Sequence, residues 1–548
     1  MDTKQIVSTL KSRPRWLLLL IIRWQGFLIS LGLLAIAIVT LDDWIADQVA
    51  HGTSFYFGEL RPWIHNYVNS LLPLVILIAL SPLGNKRLGK RQSPRFEFIP
   101  WFAMLYTAGL SLDFFYWSVT ETLYHFESNP LAGETALASQ ALSLSIFHWG
   151  LHPWAIMAFA VFCFSHLFMG RSEKTGESTT EGATPWFWFF QVSALMLVFA
   201  IIALTMTATV ASGSDLLYQS IRHEFLIDNA IVTHVIIVLV AVTCFTVLSF
   251  RSLNGIRYLA MAMIALFGIL TVALYISGPG LTMLANVFSA LWIYGKEIIN
   301  YSTWIDPNED AIWQNVWTTS YWAWWIIWSP FFGVFIAKIS AGRRLRSILL
   351  TTLLLPPCID LLWIGASGGI SVLVQAGELS PTPFDPLQTL KVEPAAALFL
   401  LGYYPELSTA SNWLRVIMLL LAAGFLAISL TSATSILPDL SSHPESGQQA
   451  LRQRLVMLTG LSIVLVVLDF YNTLIEILQL LSIPLVFLLL CHAIISLWTL
   501  LLTGRTPDPV EDPGKSPENP VSDIRPAKLI AEKKKPERRS TDRIEPHF

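Results

Sequence analysis

The chain contains a long succession of apolar stretches, each long enough to cross a lipid bilayer as a helix. A helix needs roughly 20 apolar residues to span the hydrocarbon core. Because backbone amides find no water there, uninterrupted stretches of this length specify helices. The sequence therefore predicts an all-α polytopic membrane protein with about twelve transmembrane helices. The predicted spans lie near residues 16–39, 65–84, 98–121, 139–169, 185–211, 229–250, 255–282, 314–340, 346–372, 405–437, 453–470 and 473–502.

Composition agrees with a membrane protein and argues against other classes. Hydrophobic residues make up 54% of the 548 residues and charged residues 13%, and the mean hydropathy is +0.57. The net charge of −3 gives no indication of a nucleic-acid partner. All four cysteines fall in apolar stretches without metal-ligand spacing, so neither a disulfide framework nor a cysteine metal site is expected.

Charges between the predicted spans indicate the orientation of the chain. The even-numbered junctions are basic, as at Lys86 and Arg87 after the second span and at Arg343 after the eighth. The odd-numbered junctions carry acidic residues such as Asp42 and Asp306. By the positive-inside rule, both termini are predicted to lie on the cytoplasmic side of a plasma (inner) membrane.

An aromatic run extends through the eighth predicted span and reads WTTSYWAWWIIWSPFFGVFIAKISAGRRLR. Membrane tryptophans usually lie at the headgroup level, whereas these lie within the span, where Pro330 and Gly333 weaken the helix. An aromatic wall at this depth indicates a binding site, with lipid anchoring or helix packing as the alternative. On a helix, the aromatic residues that share one face are Tyr321, Trp324, Trp325, Trp328, Phe332 and Phe335.

The segments WAWW and WSPF, followed by Gly333 and GRR, resemble the signature helix of the betaine/carnitine/choline transporters. In that family, tryptophans of this helix hold the trimethylammonium head of the solute. The chemistry agrees, because a quaternary ammonium makes no hydrogen bonds and binds to ring faces at about 2 kcal/mol or more per desolvated contact. The resemblance implies that the solute is bound by Tyr321, Trp324, Trp325, Trp328 and Phe335.

The fourth predicted span contains FHWGLHPWAIM, which is also similar to the family. The resemblance implies that Trp149 and Trp154 complete an aromatic box with Trp325. Met157 stands where several members have a tyrosine, which indicates a looser box or a different solute.

Two histidines of the same span, His148 and His152, stand four residues apart. A metal site needs further ligands, and the sequence shows neither a third ligand nor an HExxH pattern. The two side chains are therefore interpreted as structural hydrogen-bonding groups, and no metal is expected.

The third predicted span contains AGLSLDFF and resembles the first helix of the family's transport core. There, alternating glycines form a short unwound segment that meets solute and ion. Gly109 is kept here, but Ser111 and Asp113 occupy the next alternating positions, and proton-coupled choline-type relatives are similar in having an aspartate at the last. A mid-membrane carboxylate costs about 2.5–3.5 kcal/mol and is usually functional. Asp113 is predicted to be the proton-coupling site, and a neutral, hydrogen-bonded aspartic acid is the alternative.

The tenth predicted span contains SLTSATSILPDL and resembles the segment that binds sodium in sodium-coupled members. Thr431 and Ser432 match those positions, whereas Thr434 replaces the usual aspartate. Hydroxyl oxygens remain available to a hard cation. Sodium therefore stays open as an alternative coupling ion to the proton.

The resemblance covers roughly residues 70–500 and implies a fold of the leucine-transporter type. It implies inverted five-helix repeats made of spans 3–7 and 8–12. Residues 1–96 would hold two peripheral helices and a basic cytoplasmic loop, and residues 97–282 and 283–502 would be the two repeats of the core. Residues 503–548 are rich in proline and charge, which predicts a disordered cytoplasmic tail.

Together these features predict a secondary transporter, not an enzyme, that imports choline, glycine betaine or a similar solute by proton symport. The alternatives are a sodium-coupled symporter or exchanger of a sulfonium or zwitterionic osmolyte, and a membrane sensor that binds an osmolyte without transport. No cofactor is expected beyond the coupling proton or sodium ion. The expected partners are the solute and membrane lipid, and the resemblance implies a homotrimer.

Overall fold

The structure is a computed structural model that describes most of the predicted core. It describes residues 61–89, 91–110, 112–131, 138–168, 252–308, 311–377, 411–440 and 471–502, with isolated positions between 198 and 209. The predicted first, sixth and eleventh spans, most of the fifth, and the tail after residue 502 lie outside the described residues.

The described residues are helical almost throughout, and within these ranges no β-strand forms. This confirms the all-α prediction. In chain order the helices are α1 Arg61–Leu80, α2 Phe98–Gly109, α3 Leu112–Glu127, α4 Ala138–Trp149, α5 Leu151–Phe164, α6 Ser252–Ser277, α7 Gly280–Thr303, α8 Ser320–Ile339, α9 Leu345–Gln375, α10 Ser411–Leu440 and α11 Tyr471–Leu502.

Helices of spanning length and apolar composition confirm the polytopic membrane fold. Within the described residues, six helical stretches qualify, and they fall on the predicted second, fourth, seventh, eighth, ninth and twelfth spans. They are Arg61–Leu80, Ala138–Leu167, Leu253–Ser277, Ile312–Ile339, Leu345–Gln375 and Leu478–Leu501.

The third predicted span, placed at residues 98–121, consists of two half-helices, as the resemblance implies for the first helix of the transport core. Helix α2 ends at Gly109, Leu110 is extended with φ −92° and ψ 136°, and α3 resumes at Leu112. Helix α3 then continues to Glu127, six residues beyond the predicted end of the span. Discontinuous helices at membrane depth expose backbone groups, which is typical of transport sites.

The fourth predicted span is also interrupted, between α4 and α5. Gly150 has a non-helical backbone with φ −95° and ψ −129°. A Cβ atom at this position would lie 2.3 Å from the carbonyl oxygen of Ile146, so only glycine fits without rearrangement.

Helix α7 was not predicted from the sequence, which placed a junction between residues 282 and 314. It is too polar to qualify as a membrane span, and it packs against α4 and α9. Its buried residues repeat at helical spacing: Met283, Val287, Ala290, Tyr294 and Tyr301.

The two basic junctions that follow α1 and α8 are paired with each other. Leu88 donates its backbone N–H to the Arg343 carbonyl oxygen at 3.0 Å, and Gly342 donates to the Leu88 carbonyl oxygen at 2.7 Å. Gly342 has φ +84°, a left-handed conformation that glycine adopts without strain. The pairing places these two junctions on the same side of the bundle, as the charge pattern predicts.

The bundle has a buried centre and an apolar rim. Helices α5 and α8 pack against each other and bury nearly every side chain. Helices α1, α6 and α11 instead expose apolar residues such as Leu77, Ile269 and Phe487. Exposed apolar side chains on spanning helices are what contact with lipid requires. The functional site therefore has to be sought around α5 and α8.

Candidate functional site

Four aromatic side chains meet where α4, α5 and α8 pack together. The Trp149 ring centroid lies 5.6 Å from those of Tyr321 and Trp325, with the ring planes nearly perpendicular. The Trp154 ring centroid lies 5.8 Å from that of Trp325. We call Trp149, Trp154, Tyr321 and Trp325 the aromatic box. The structure thus brings together four of the residues that the sequence predicted to bind solute.

The break at Gly150 explains how two rings of one span reach the same site. On a continuous helix, side chains five residues apart point in directions about 140° apart. Gly150 ends that regular rotation, and the Trp149 and Trp154 rings both contact Trp325. Helical spacing alone could not have shown this arrangement.

The break in the third span lies directly against the box. A Cβ atom at Gly109 would lie 2.4 Å from Cη2 of Trp154 and 3.1 Å from Cε2 of Phe332. The Trp328 indole N–H donates to the carbonyl oxygen of Ala108 at 3.2 Å. Glycine is therefore needed at position 109, because the Trp154 ring occupies the space that a side chain would fill. The end of α2 is held in place by its contacts with Trp154, Phe332 and Trp328.

The aromatic face of α8 is divided between two groups of rings. Trp324 stacks on Trp328 at 6.3 Å, Trp328 contacts Phe331, and Phe331 stacks on Phe335 at 6.2 Å. Among the described ring contacts, none joins this second group to Trp149, Trp154 or Trp325. The structure therefore places the predicted residues Trp324, Trp328 and Phe335 beside the box rather than in it.

A buried carboxylate holds Trp149 from outside the box. The Trp149 indole N–H donates to Oε2 of Glu121 at 2.7 Å. The other oxygen, Oε1, lies 2.6 Å from Nδ1 of His148 and 3.0 Å from Nε2 of His125. Nε2 of His148 lies 3.1 Å from the Thr318 hydroxyl, in the π-helical segment that leads into α8. Glu121, His125 and His148, hereafter the Glu–His cluster, are fully buried.

The ligand atoms of the Glu–His cluster lie within 4.8 Å of one another, as the ligands of one metal ion also do. Hydrogen bonds of 2.6 and 3.0 Å account for the same spacing without an ion. His152 does not join the cluster, since its Nε2 atom lies 3.1 Å from the Ser302 hydroxyl on α7. His148 and His152, four residues apart in the sequence, therefore contact different groups: His148 contacts Glu121 and His152 contacts Ser302.

A second buried carboxylate, Asp360 of α9, holds the other tryptophan of the fourth span. The Trp154 indole N–H donates to Oδ2 of Asp360 at 2.8 Å, and the Tyr106 hydroxyl donates to Oδ1 at 2.8 Å. The Tyr106 and Trp154 rings also stack, with centroids 6.3 Å apart. Asp360 thus connects α9 with both α2 and α5.

Two of the predicted ion-coupling residues, Ser111 and the Asp113 side chain, lie outside the described residues. Thr431 and Ser432 lie on α10, which packs against α2 and is buried at this level. The Thr431 hydroxyl donates to the Ala427 carbonyl oxygen at 2.6 Å. Among the described residues, the buried Ser432 hydroxyl has no hydrogen-bond partner.

Sequence reasoning missed Glu121, His125 and Asp360. The signal was present, because an ionisable side chain inside a membrane span is a functional candidate by default. Asp360 interrupts the apolar ninth span in PPCIDLLW. The predicted third span ends at Glu121, so its side chain was not recognised as lying inside a span, whereas α3 continues to Glu127.

The box is closed upon itself in this structure. Neighbouring ring centroids at 5.6–5.8 Å leave the rings in mutual contact, and Trp149, Trp154 and Trp325 are all buried. A cation bound to a ring face also lies within about 6 Å of the ring centroid. A cation could therefore contact these ring faces only after the rings move apart.

Comparison with known proteins shows which transporters the chain is similar to. Residues 24–504 match the family model described as BCCT, betaine/carnitine/choline family transporter. The chain is 30% identical to the glycine betaine transporter OpuD of Bacillus subtilis, over 72% of this chain and 78% of that protein. It is 27% identical to an ectoine/hydroxyectoine transporter of Virgibacillus pantothenticus, over 73% of this chain and 79% of that protein.

Two further matches extend the range of similar proteins. A glycine betaine/proline/choline/ectoine transporter of Vibrio parahaemolyticus is 29% identical over 64% of each chain. A solved structure of a sodium-coupled sialic acid symporter covers 80% of this chain and 87% of its own, at 12% identity and a TM-score of 0.43. At that score, the likeness carries no argument about topology or coupling.

Proposed function

Because this chain belongs to the betaine/carnitine/choline family of transporters, we propose that it imports a solute with a trimethylammonium head. Family membership makes it a secondary transporter of betaine- or choline-like solutes and not an enzyme. The identity of the solute head, the direction of transport and the coupling ion are the parts that we propose.

The observation that carries the proposal is the aromatic box. Four rings from three helices converge at membrane depth, and two of them are aligned by hydrogen bonds from their indole N–H groups to buried carboxylates. A quaternary ammonium cation makes no hydrogen bonds, and aromatic cages bind it through the ring faces. The described rings provide such faces once the helices separate.

The break in the third span supports alternating access around this box. Gly109 ends α2 against the Trp154 ring, and the extended Leu110 leads on to α3. A rotation of α3 relative to α2 at Leu110 would therefore change the packing of Gly109 against Trp154. In transporters with discontinuous helices, one bundle of helices rocks against the rest around a fixed midplane site. Movement at this break would open and close the box. The inverted repeats of residues 97–282 and 283–502 remain part of the proposal.

For coupling, we propose that Asp113 carries the proton. Its support is its position at the start of α3, three residues after the extended Leu110 and inside an apolar span. An ionisable group at such depth usually titrates or pairs. Proton binding would then act on α3, the same half-helix whose movement opens and closes the box.

Sodium coupling is the second candidate, and one observation favours it. The Ser432 hydroxyl is buried and has no hydrogen-bond partner among the described residues, and Thr431 lies beside it. Hydroxyl oxygens on a helix facing a broken helix are suitable ligands for a hard cation. The helix that carries both residues, α10, packs against α2, which ends at the break in the third span.

We further propose that the protein is a homotrimer in a plasma (inner) membrane, with both termini and residues 503–548 in the cytoplasm. The support for this orientation is the pairing of the basic junctions after α1 and α8 on one side of the bundle. Contact of the basic tail with anionic lipid belongs to the same proposal.

The test is uptake of labelled choline and glycine betaine into proteoliposomes, with a proton gradient or a sodium gradient imposed separately. We expect uptake driven by protons alone, and its loss in Asp113→Asn. Sodium-driven uptake that survives Asp113→Asn would instead assign coupling to Thr431 and Ser432. Binding without flux under either gradient would replace the transporter with a membrane sensor.

A further inference from the structure

Asp360 lies at the middle of α9, and its side chain is buried in the core. It is fifteen residues from each end of α9, Leu345–Gln375, which places it about 22 Å from either end of that helix. Its side chain is 1% exposed, and both oxygens accept hydrogen bonds, from Tyr106 and from Trp154. A carboxyl group at this depth is expensive, and it is usually retained because it pairs with something.

No basic partner for Asp360 exists on the part of the chain that the structure describes. Its two hydrogen-bond donors are a phenol and an indole, which are both neutral. Glu121, the other buried carboxylate beside the box, has two imidazole nitrogens within 3.0 Å. Glu121 can therefore be neutralised by bases within the protein, whereas Asp360 becomes neutral only by taking up a proton or by meeting a positive charge from elsewhere.

The connection between Asp360 and the box is a single indole ring. Nε1 of Trp154 is 2.8 Å from Oδ2 of Asp360, and the same ring packs against Trp325. Cations bind to ring faces by electrostatic attraction. A carboxylate that accepts the indole N–H makes the potential at that ring face more negative, and its own charge acts directly on a cation bound there.

We propose that Asp360 is a specificity-determining positioning residue, and that a bound cationic solute supplies the positive charge that lets its carboxyl group ionise. It orients Trp154 through the indole N–H and makes the box prefer solutes of net positive charge. The preferred class is then a quaternary ammonium alcohol such as choline, rather than a zwitterion such as glycine betaine. This inference rests on the proposed function, in which the box binds a trimethylammonium head.

The preference follows from the net charge of the two solutes. Both carry the same trimethylammonium head, so the ring faces alone distinguish them poorly. Choline brings one uncompensated positive charge into the site and offsets Asp360. Glycine betaine brings its own carboxylate with the head, so it offsets Asp360 less and places two negative groups in one low-dielectric region.

The experiment is equilibrium binding of labelled choline and labelled glycine betaine to the purified full-length protein, and the readout is the ratio of the two affinities. Asp360→Asn is nearly isosteric, so its amide can still accept from Trp154 and can donate to the Tyr106 oxygen. Tyr106→Phe is the matched control, because it removes one hydrogen bond from Asp360 but keeps the charge and the bond to Trp154.

We expect wild type to bind choline more tightly than glycine betaine. The preference should fall by about tenfold in Asp360→Asn, the scale of a unit charge acting over several ångströms in a partly screened site, and persist in Tyr106→Phe. Equal loss of affinity for both solutes in Asp360→Asn, with an unchanged ratio, would overturn the inference by showing a merely structural role.

Two further outcomes keep the test decisive. If Asp360→Asn does not fold, wild type alone must still prefer choline and other monovalent quaternary cations to glycine betaine, and a preference for the zwitterion overturns the inference. If wild type binds neither solute, the proposed function itself fails, and this inference fails with it. Binding of both with no charge preference rejects this inference alone.

Discussion

The two tryptophans of the fourth span are held in the same way by two different acids. The Trp149 and Trp154 indoles donate to Glu121 and Asp360 at 2.7 and 2.8 Å, and both acids are buried. The remaining oxygen of Glu121 meets two histidines, whereas that of Asp360 meets only Tyr106. One acid has bases beside it, and the other has only neutral donors.

This difference shows that hydrogen bonding and charge compensation are separate requirements for a buried acid. Both carboxylates satisfy the first, because every oxygen has a partner. Only Glu121 satisfies the second within the described structure. The Glu–His cluster can therefore serve as a permanent support for Trp149, whereas Asp360 holds Trp154 without a base beside it among the described residues.

The largest expected effect follows from removing the Glu121 carboxylate. Glu121→Ala leaves the groups of His125, His148 and Trp149 without their common acceptor, and each unsatisfied buried group costs about 1–3 kcal/mol. We expect a strongly lowered thermal midpoint of the purified protein in detergent. Asp360→Ala strands two donors instead of three, so its midpoint should fall less. Equal losses in the two variants would contradict the comparison.

A smaller effect is expected at the break in the third span, where Trp154 fills the space beside a glycine. In Gly109→Ala the new methyl group would lie 2.4 Å from the Trp154 ring, and overpacking of this kind costs about 1–3 kcal/mol. We expect weaker choline binding and slower uptake. Gly295→Ala is the matched control, because nothing lies within 4 Å of its Cβ position. If both variants transport as wild type does, the contact between Gly109 and Trp154 has no role in transport.

The smallest effect concerns the packing of α9, which carries Asp360, on α3, which carries Glu121. A Cβ atom at Gly368 would lie 2.5 Å from the Thr122 hydroxyl oxygen and 2.8 Å from the Ser118 carbonyl oxygen. At the adjacent Gly369, nothing lies within 4 Å. Gly368→Ala should therefore lower the thermal midpoint by the equivalent of about 1–2 kcal/mol, and Gly369→Ala should leave it unchanged or raised. A reversed order would show that the two helices pack differently.

Much of the architecture could be predicted from the sequence because membrane helices are specified locally. Apolar length fixed the spans, and the aromatic run at Trp324–Trp328 with FHWGLHPW indicated the site before any contact was known. In the structure, Trp149 and Trp154 both pack against Trp325. Helix α7 was missed because it is amphipathic rather than apolar, although Met283 and Val287 begin a readable helical stripe.

What the sequence could not provide are the relations between distant residues. Glu121 and His148 are 27 residues apart, and Tyr106 and Asp360 are 254 residues apart, so no local pattern joins either pair. The division of the aromatic residues of α8 into two groups could also not be predicted from the spacing along one helix. It depends on which neighbours reach Trp325 and which leave Trp324 to stack on Trp328.

The central claim, that the aromatic box binds the cationic head, is tested most directly by choline binding to Trp325→Ala. Trp292→Ala is the matched control, since Trp292 lies on α7 and is 69% exposed. Loss of one desolvated cation–π contact of about 2 kcal/mol corresponds to roughly thirtyfold weaker binding. The account predicts that loss in Trp325→Ala and wild-type affinity in Trp292→Ala. Wild-type affinity in a folded Trp325→Ala protein would contradict it.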